Sequence, residues 1–320
     1  MATQRDPSPW PHRIAWVVAC ATFPLVWVGG LITTTDAGMA VPDWPNTYGY
    51  NLLLYPWTTW LFGPWDLFIE HGHRLFATGV GMLTILLLAV SWNQGSRLRM
   101  LAAAALALVL TQGVLGGLRV VLNDRYLGLV HGSVGPLFFA YTALLVVLTS
   151  SRHTAATFQR RVIWLPLIIF CQVVLGATLR HTPEQSDPWA FATHVQAHLA
   201  GALIVTILVF TAAWQGAEDR RARWIGRGMA GLVLLQVGLG VGTWFVKYRL
   251  PAWAAGLATG TMDASVAGGW AETHIVTAHT AIGAILLALA TARAAMLTRE
   301  AEPAATTQAS LSPSNAQLSP

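Results

Sequence analysis

Eight long apolar stretches constrain this chain more than any other feature of its sequence. A helix that crosses a bilayer needs about 20 mainly apolar residues, because every backbone polar group must be hydrogen-bonded within the segment. The stretches cover roughly 13–35, 73–92, 100–122, 129–149, 162–180, 195–214, 228–246 and 275–296. Hydrophobic residues make up 54% of the 320 and charged residues only 10%. The sequence therefore predicts an all-α membrane protein with eight transmembrane helices.

The positions of Lys and Arg predict how these helices are oriented. With the N-terminus inside, 13 of the 19 Lys and Arg residues lie on the cytoplasmic side and the other six lie at outer helix ends. The positive-inside rule then places both termini in the cytoplasm and the protein in the cell (inner) membrane. The net charge of +5 forms no single patch. Attraction to anionic membrane lipid explains it, and no nucleic acid is expected as a partner.

Repeated phrases predict that the chain contains a duplication. TQGVLGGLR (111–119), CQVVLGATLR (171–180) and LQVGLGVGTW (235–244) each place Leu and Gly three and four positions after a Gln. We interpret them as sites of close helix packing, with Gln hydrogen-bonding across an interface. The even-numbered spans each begin at a histidine. Division near residue 155 then gives two pseudo-symmetric four-helix bundles in tandem.

This division sets the expected domain organisation. A cytoplasmic segment (1–12) precedes an N-terminal four-helix bundle (13–155) and a C-terminal four-helix bundle (156–298). The tail (299–320) is rich in Ala, Ser, Pro and Gln and is expected to be disordered. Both cysteines, Cys20 and Cys171, fall inside predicted spans, so we expect buried apolar filler rather than a disulfide.

Four of the ten histidines are candidate metal ligands. Each has a small residue four positions later, on the same helix face, which leaves room beside the imidazole for a flat macrocycle. The four are His73, His131, His198 and His279, followed by Ala77, Gly135, Ala202 and Gly283. Ionisable side chains inside spans are costly and usually functional. We therefore expect bis-histidine haem ligation, with one haem in each half.

Two other uses of these histidines stay open from the residues alone. A single intramembrane histidine is more often a packing or hydrogen-bonding residue than a ligand. A non-haem metal would need carboxylate or thiolate partners as well. In the C-terminal half only Asp263 and Glu272 lie in the outer loop, so this second use is less well supported.

A carboxyl group breaks the symmetry between the halves. Glu70 lies three residues before His73, whereas Val195 holds the matching place before His198. We infer that the N-terminal half carries out chemistry and that the C-terminal half carries electrons or holds the fold. The alternative is that Glu70 caps its helix or pairs with Arg74 at i+4.

The outer ends of the spans supply two further expectations. The loop 33–60 is rich in Trp, Pro and Tyr, and it is expected to form an ordered lid at the membrane interface. Arg119 and Arg180 lie at outer helix ends, where they either pair with haem propionates or extend to the interface.

Several of these segments resemble the heme A synthase family. The phrases are TDAGMAVPDWPNTYG, EHGHR, LGGLRVVL and LVHGSVG, together with the paired histidines of the sixth and eighth spans, and the resemblance covers about residues 13 to 296. It implies oxidation of the heme O methyl group to the formyl group of heme A by successive oxygenations, for terminal oxidase assembly. It further implies that Glu70 is catalytic, that His73 and His131 are axial ligands of the substrate haem, and that His198 and His279 ligate a bound heme B.

The resemblance also implies partners, and the sequence departs from it at two places. The partners are heme O synthase or another haem donor, an electron donor and the terminal oxidase assembly; homo-oligomer formation is left open. Many members carry a cysteine pair in the outer loops, which this chain lacks, and Leu199 stands where members often have Arg. The alternatives are a diheme bis-histidine electron-transfer cytochrome without oxygenase activity, and a transporter that uses the histidines for protons.

Overall fold

The computed structural model describes residues 8–150, 164–182, 187–214, 220–248 and 269–298. These residues form helices joined by turns, with one isolated bridge between Thr47 and Tyr50. The helices are α1 (Trp10–Thr34), α2 (Trp57–Leu61), α3 (Trp65–Ser91), α4 (Ser96–Val121), α5 (Arg125–Leu148), α6 (Trp164–His181), α7 (Pro188–Trp214), α8 (Arg220–Tyr248) and α9 (Trp270–Thr298).

Among the described helices, all except the short α2 are long and apolar enough to cross a membrane. This confirms the predicted all-α membrane fold with eight spans. The expectations for residues 1–7 and for the tail 299–320 lie outside the described residues.

Three helices begin well before their apolar stretch does, among them α8, which begins at Arg220 instead of residue 228. Helix α3 begins at Trp65 instead of residue 73, and α7 begins at Pro188 instead of residue 195. Proline favours helix starts, and the polar and aromatic residues of a first turn add little hydropathy, so the apolar run underestimates the helix. As a consequence Glu70 lies within α3, one turn before His73.

Each half of the chain closes a ring of four helices. In the first half α1 packs on α3, α3 on α4, α4 on α5 and α5 on α1; in the second half α6, α7, α8 and α9 pack in the same cyclic order. The predicted tandem pair of bundles remains a prediction, and these contacts support it.

Helices α5 and α9 form the centre of the molecule. They pack extensively against each other, and α9 also contacts α1 and α6 of the two rings. The apolar core of the second half runs through Leu286 and Leu287 of α9 and Val209 of α7, all at most 2% exposed. The two central helices carry His131 and His279, so the packed core fixes one candidate ligand in each half.

Both cysteines are exposed on the helix surface, so the expectation of buried filler is wrong. The physical reason is that lipid is as apolar as a protein core. An apolar position in a membrane helix therefore faces lipid as readily as it faces another helix.

The loop between α1 and α3 folds back over the start of α3. Asp43 accepts hydrogen bonds from the backbone amides of Tyr48 and Gly49, both at 2.8 Å. The indole of Trp44 lies directly against Gly117 of α4, where any larger residue would meet it. The loop is thus tied to two helices of the first ring, as expected for an ordered lid.

Candidate functional site

The four candidate histidines lie at opposite corners of the two rings. His73 is on α3 and His131 is on α5, which occupy opposite positions in the first ring; His198 on α7 and His279 on α9 have the same relation in the second. All four side chains are half-buried. The structure therefore brings one predicted pair together inside each half.

Each of these imidazoles rests on a glycine of the preceding spanning helix in its ring. A Cβ built on these glycines would come within 2.9–3.2 Å of the histidine Cε1, closer than ordinary van der Waals contact. The four contacts are Gly29 with His73, Gly116 with His131, Gly176 with His198, and Gly240 with His279. We call these four glycines the histidine seats. Because these residues have no Cβ, each imidazole ring can lie close to the backbone of the neighbouring helix.

The C-terminal pair has the spacing that a shared metal requires. The ring centroids of His198 and His279 are 6.3 Å apart, and their planes are inclined at 68°. Two imidazole nitrogens on opposite sides of one metal, each at about 2.0–2.1 Å, place the ring centroids about 6 Å apart. These two residues therefore fit bis-histidine ligation of a haem iron.

The N-terminal pair lies in a more charged environment. His131 and Arg119 are both near enough to His73 to act on it electrostatically. The guanidinium of Arg119 lies against Gly38 of the loop, 3.0 Å from a Cβ built there, and its Nε is buried with no hydrogen-bond partner among the described residues. This position, beside the two imidazoles, suits an anionic group on a ligand.

A glutamine accompanies three of the four seats, one turn earlier on the same helix. Gln112 Nε2 donates to the His131 carbonyl at 3.0 Å, and Gln172 Nε2 donates to the His198 carbonyl at 2.9 Å. Gln236 contacts His279 differently: its backbone carbonyl lies 3.1 Å from the imidazole Nδ1, and its side-chain Nε2 lies 3.5 Å from the imidazole Nε2. The expectation that these glutamines hydrogen-bond across a helix interface agrees with this geometry.

The small residues after the histidines make room for these glutamines. A Cβ on Gly135 would lie 3.1 Å from Gln112 Nε2, and one on Gly283 would lie 3.3 Å from Gln236 Nε2. The residue spacing predicted that this space would hold a macrocycle, and in the structure the glutamine side chains occupy it at Gly135 and Gly283. Haem ligation by these histidines stays a prediction.

Glu70 is buried and fully engaged with protein groups. It is 2% exposed, and its Oε2 accepts a hydrogen bond from the Val41 amide at 2.9 Å. Its Oε1 forms an ion pair of 2.8 Å with Arg74. The structure therefore contains the ion pair between Glu70 and Arg74 that the sequence offered as an alternative. This pairing does not exclude a chemical role for Glu70.

Arg74 ties the lid to α3. Its guanidinium donates to the carbonyls of Asp43 (2.6 Å), Val41 (2.7 Å) and Asn46 (3.1 Å). Burial raises the pKa of Asp43. Hydrogen bonds from the Gly49 and Tyr48 amides and the charge of Arg74 together lower that pKa by more, so the net shift is downward. The carboxylate form of Asp43 thus stabilises this turn.

His71 faces the lid instead of the ring interior. It is 1% exposed, its Nδ1 lies 3.0 Å from Thr47 Oγ1, and its ring packs beside Tyr55 and Trp60. Two residues apart on a helix, His71 and His73 point to different sides. His71 anchors the loop, and His73 points into the four-helix ring.

Arg180 joins the two halves. Its guanidinium donates to the Gly30 carbonyl at 2.7 Å and to Thr34 at 2.6 Å, both on α1, and to Thr280 of α9 at 3.1 Å. All of these groups are internal to the protein, so Arg180 acts as a link between helices in this structure.

Two residues with structural importance were missed by sequence reasoning. Arg293 is 2% exposed and donates to the carbonyls of Ala222 (3.1 Å) and Ala212 (2.9 Å), although its position near a helix end had placed it among the cytoplasmic charges. His181 lies against Gly128 of α5. Its only signal was its position beside Arg180 at a helix end.

A non-haem metal would need at least three ligating side chains close together. No group of three or more His, Cys, Asp or Glu side chains that could hold a metal ion is found there. Asp263, considered for this role, lies outside the described residues.

The fold and the site together define a multi-pass helical membrane protein with paired imidazoles inside its helix rings. No protein-family model matches the chain. The heme A synthase of Shouchella clausii (strain KSM-K16) is 27% identical to it over 184 residues, which are 53% of this chain and 59% of that protein. The match therefore spans less than two thirds of that relative.

Two further relatives carry the same name. The heme A synthase of Staphylococcus aureus (strain bovine RF122 / ET3-1) is 24% identical over 234 residues, 62% of this chain and 74% of that protein. That of Brucella anthropi is 27% identical over 158 residues, 46% of this chain and 42% of that protein. The three relatives support membership of the chain in the heme A synthase family.

Proposed function

We propose that this protein is a membrane oxidoreductase that converts the methyl group of heme O to the formyl group of heme A by successive oxygenations, through an alcohol. The observation that carries the proposal is the pair of histidines inside each ring, combined with the buried carboxylate of Glu70 in the N-terminal ring; among the described residues the C-terminal ring has no buried carboxylate. The shared name of the three relatives supports the same activity.

The C-terminal half would hold the resident cofactor, heme B. His198 and His279 would hold its iron, because their 6.3 Å centroid separation fits two imidazoles on one iron. Bound there, heme B supplies one-electron transfer. The protein contributes the seats Gly176 and Gly240, which keep both rings at fixed positions against the neighbouring helices.

The N-terminal half would bind the substrate, heme O. His73 and His131 would be its axial ligands, and Arg119, beside both, would contact an acidic substituent. The lid covers the end of this ring that carries Glu70 and His71. Exclusion of water there strengthens every charge interaction with the reacting group.

Glu70 would act on the carbon that is oxidised. Each oxygenation replaces a C–H bond of the methyl group by a C–OH bond. With dioxygen as the oxidant, the second oxygen atom leaves as water, and the step takes up two electrons from the electron donor and two protons. A carboxylate beside the site passes protons or stabilises positive charge that develops at the carbon. Arg74 and the Val41 amide hold this carboxylate in one orientation.

The same proposal extends to the cellular setting. The excess of Lys and Arg in the inner loops supports both termini in the cytoplasm of a cell membrane. The partners would be heme O synthase or another haem donor, an electron donor, and the terminal oxidase that receives heme A. Anionic lipid would bind the basic inner surface.

Co-expression with a heme O source, followed by haem extraction and chromatography, tests the proposal. Wild-type protein is expected to yield the alcohol and the formyl haem, and Glu70→Gln is expected to yield neither in quantity. Purified wild type that binds two haems but leaves heme O unchanged, under conditions where a relative converts it, would overturn the oxygenase activity. A preparation without any haem would overturn the whole assignment.

A further inference from the structure

A guanidinium group lies close to the C-terminal pair of histidines. Arg180 stands four residues after Gly176, the seat of His198, so Arg180 and this seat share one face of α6. The Nη1 of Arg180 donates to the hydroxyl of Thr280, the residue after His279, at 3.1 Å. Arg180 is also near enough to His279 to act on it electrostatically. These observations together place a positive charge beside the C-terminal pair.

The groups that bind Arg180 are neutral. Its guanidinium donates to the Gly30 carbonyl at 2.7 Å and to the hydroxyls of Thr34 and Thr280 at 2.6 and 3.1 Å. Among the residues that the structure describes, no carboxylate lies within ion-pair distance of Arg180. The guanidinium is therefore fixed in position by hydrogen bonds, and no described side chain neutralises its charge.

The arginines of the N-terminal helix ring are placed differently. Arg74 forms an ion pair of 2.8 Å with Glu70, and Arg119 is near enough to Glu70 for the carboxylate to stabilise its positive charge. One acidic side chain thus serves two guanidinium groups in that ring. The described part of the C-terminal ring offers Arg180 no buried carboxylate, so the two rings differ in the balance of their charges.

Two helix ends make this position tolerable for a cation. Arg180 lies in the last turn of α6, and it bonds to Gly30 and Thr34 at the carboxyl end of α1. The carboxyl end of a helix carries a partial negative charge that stabilises a positive group. This partial charge belongs to the backbone and remains when a side chain is replaced. Replacement of Arg180 by a neutral residue therefore changes the local charge by one full unit.

A fixed charge of this kind changes how readily a nearby haem iron accepts an electron. Reduction from Fe³⁺ to Fe²⁺ lowers the charge of the haem by one unit, so a neighbouring cation favours the reduced form. Coulomb interactions are stronger inside a protein than in water. Ionisable side chains inside membrane spans are costly and usually functional. A cation that helix ends hold beside a pair of candidate ligands is thus suited to control electron uptake.

We propose that Arg180 raises the reduction potential of the heme B held by His198 and His279, so that this haem accepts electrons more readily. The inference rests on the proposed function, because it assumes a haem between these two imidazoles. The step is the gain of one electron by Fe³⁺ from the electron donor, which gives Fe²⁺ and oxidises the donor. Arg180 acts through its charge and takes no part in making or breaking a bond.

The central experiment compares replacements of Arg180 that differ in charge. Arg180→Met and Arg180→Gln are both neutral, and the glutamine keeps a hydrogen-bonding group at this position. Arg180→Lys keeps the positive charge but loses the planar fork that binds α1 and α9 together. Each full-length protein is purified with heme B, and its absorbance is followed through an equilibrium redox titration. The component that His198→Ala removes is assigned to the C-terminal haem.

Both neutral variants are expected to lower the ratio of reduced to oxidised heme B by about tenfold at a fixed ambient potential. For a one-electron couple this is a downward shift of about 59 mV. Arg180→Lys should restore most of the wild-type potential. An unchanged potential in the neutral variants, or a lysine variant that falls as far as they do, would overturn control of the potential by this charge.

Two further variants separate the charge from its surroundings. Thr34→Val removes the acceptor of the 2.6 Å bond and leaves Arg180 charged. Arg293→Met removes another buried guanidinium, 14 residues after His279 on α9 and thus about 21 Å further along that helix. Both variants should keep the wild-type potential. A fall in either one as large as in Arg180→Met would assign the effect to lost helix contacts and overturn the proposal.

Haem content and haem products, measured on the same preparations, distinguish this inference from the proposed function. Wild type that converts heme O, with an unchanged potential in Arg180→Met, would overturn the inference alone. Wild type that binds heme B with a charge-dependent potential but leaves heme O unchanged would support the inference and overturn the oxygenase activity. Absence of any haem between His198 and His279 would overturn both.

Discussion

Glu70 and Arg74, one helical turn apart on α3, together bind both backbone polar groups of Val41 in the lid. Glu70 accepts a hydrogen bond from the Val41 amide at 2.9 Å, and Arg74 donates to the Val41 carbonyl at 2.7 Å. The two side chains are joined by an ion pair of 2.8 Å. The same carboxylate that is proposed to act on the substrate therefore also fastens the loop above it.

Glu70→Gln separates these two roles. The amide keeps an oxygen for the Val41 N–H but removes the negative charge and the proton acceptor. We expect formation of oxidised haem to fall by about 100-fold or more, the range for loss of a general acid or base. Haem content should stay at the wild-type level. The measurement is chromatography of extracted haems together with the absorption spectrum.

Arg74→Gln is the matched control for that variant. It removes the ion pair and the bonds to the lid carbonyls, and it leaves the Glu70 charge buried without its partner, which costs about 3–5 kcal/mol. We expect faster hydrogen exchange across the lid in Arg74→Gln and not in Glu70→Gln. Full activity in Glu70→Gln would show that the carboxylate is only a loop anchor.

The histidine seats predict a sharp difference between neighbouring glycines on α8. In Gly240→Ala the new methyl group would lie 3.1 Å from His279 Cε1, so the ring must shift; at Gly238 a Cβ meets nothing within 4 Å. We expect Gly240→Ala to lower heme B affinity by about tenfold or more, because small displacements of a ligand are costly.

Gly238→Ala should bind heme B as wild type does. Haem titration of the apoprotein, followed by the Soret absorbance, measures both affinities. Equal affinities in the two variants would show that contact of Gly240 with His279 does not position the ligand.

The sequence predicted the eight spanning helices apart from some of their starts, and the regular placement of four histidines predicted that they would lie in two pairs; their role as haem ligands stays a prediction. Hydropathy finds the spans because lipid demands long apolar helices, and this argument does not depend on tertiary contacts. The seats were not predicted: the pairing of Gly29 with His73 depends on which helices are neighbours in the ring. The phrases around Gln112, Gln172 and Gln236 contained the other three seats, but the sequence alone shows a helix-packing pattern there.

The same limit explains the misjudged polar residues. From sequence, an arginine near a helix end is expected to be solvated. Arg293 is instead bonded to α7 and α8, which only the packing of these helices shows. Pairing of Glu70 with Arg74 followed from i+4 spacing. The bond from Val41 joins residues 29 positions apart and required the fold of the lid.

Arg293 predicts a stability effect far from either pair of histidines. Its guanidinium donates to Ala212 in the last turn of α7, where a positive charge is favourable, and to Ala222 of α8. We expect Arg293→Met to lower the free energy of unfolding by about 1–3 kcal/mol, because the carbonyls of Ala212 and Ala222 lose a donor. Thermal unfolding in detergent measures this. Arg97→Met, at an exposed position, is the control and should stay within about 0.5 kcal/mol of wild type.

Asp43 predicts how the lid responds to acid. Because the pKa of Asp43 is lowered in the folded loop, its carboxylate stabilises the turn above the unfolded value of about 3.9, and this contribution is lost as the pH falls through the lower, folded value. Hydrogen exchange of the Tyr48 and Gly49 amides, corrected for intrinsic rates, should therefore accelerate at low pH. The Leu53 amide is bonded at 2.9 Å to Asn51, which does not titrate, and serves as the internal control. Equal acceleration at all three amides would show general loosening of the lid, and Asp43→Asn should remove the difference between them.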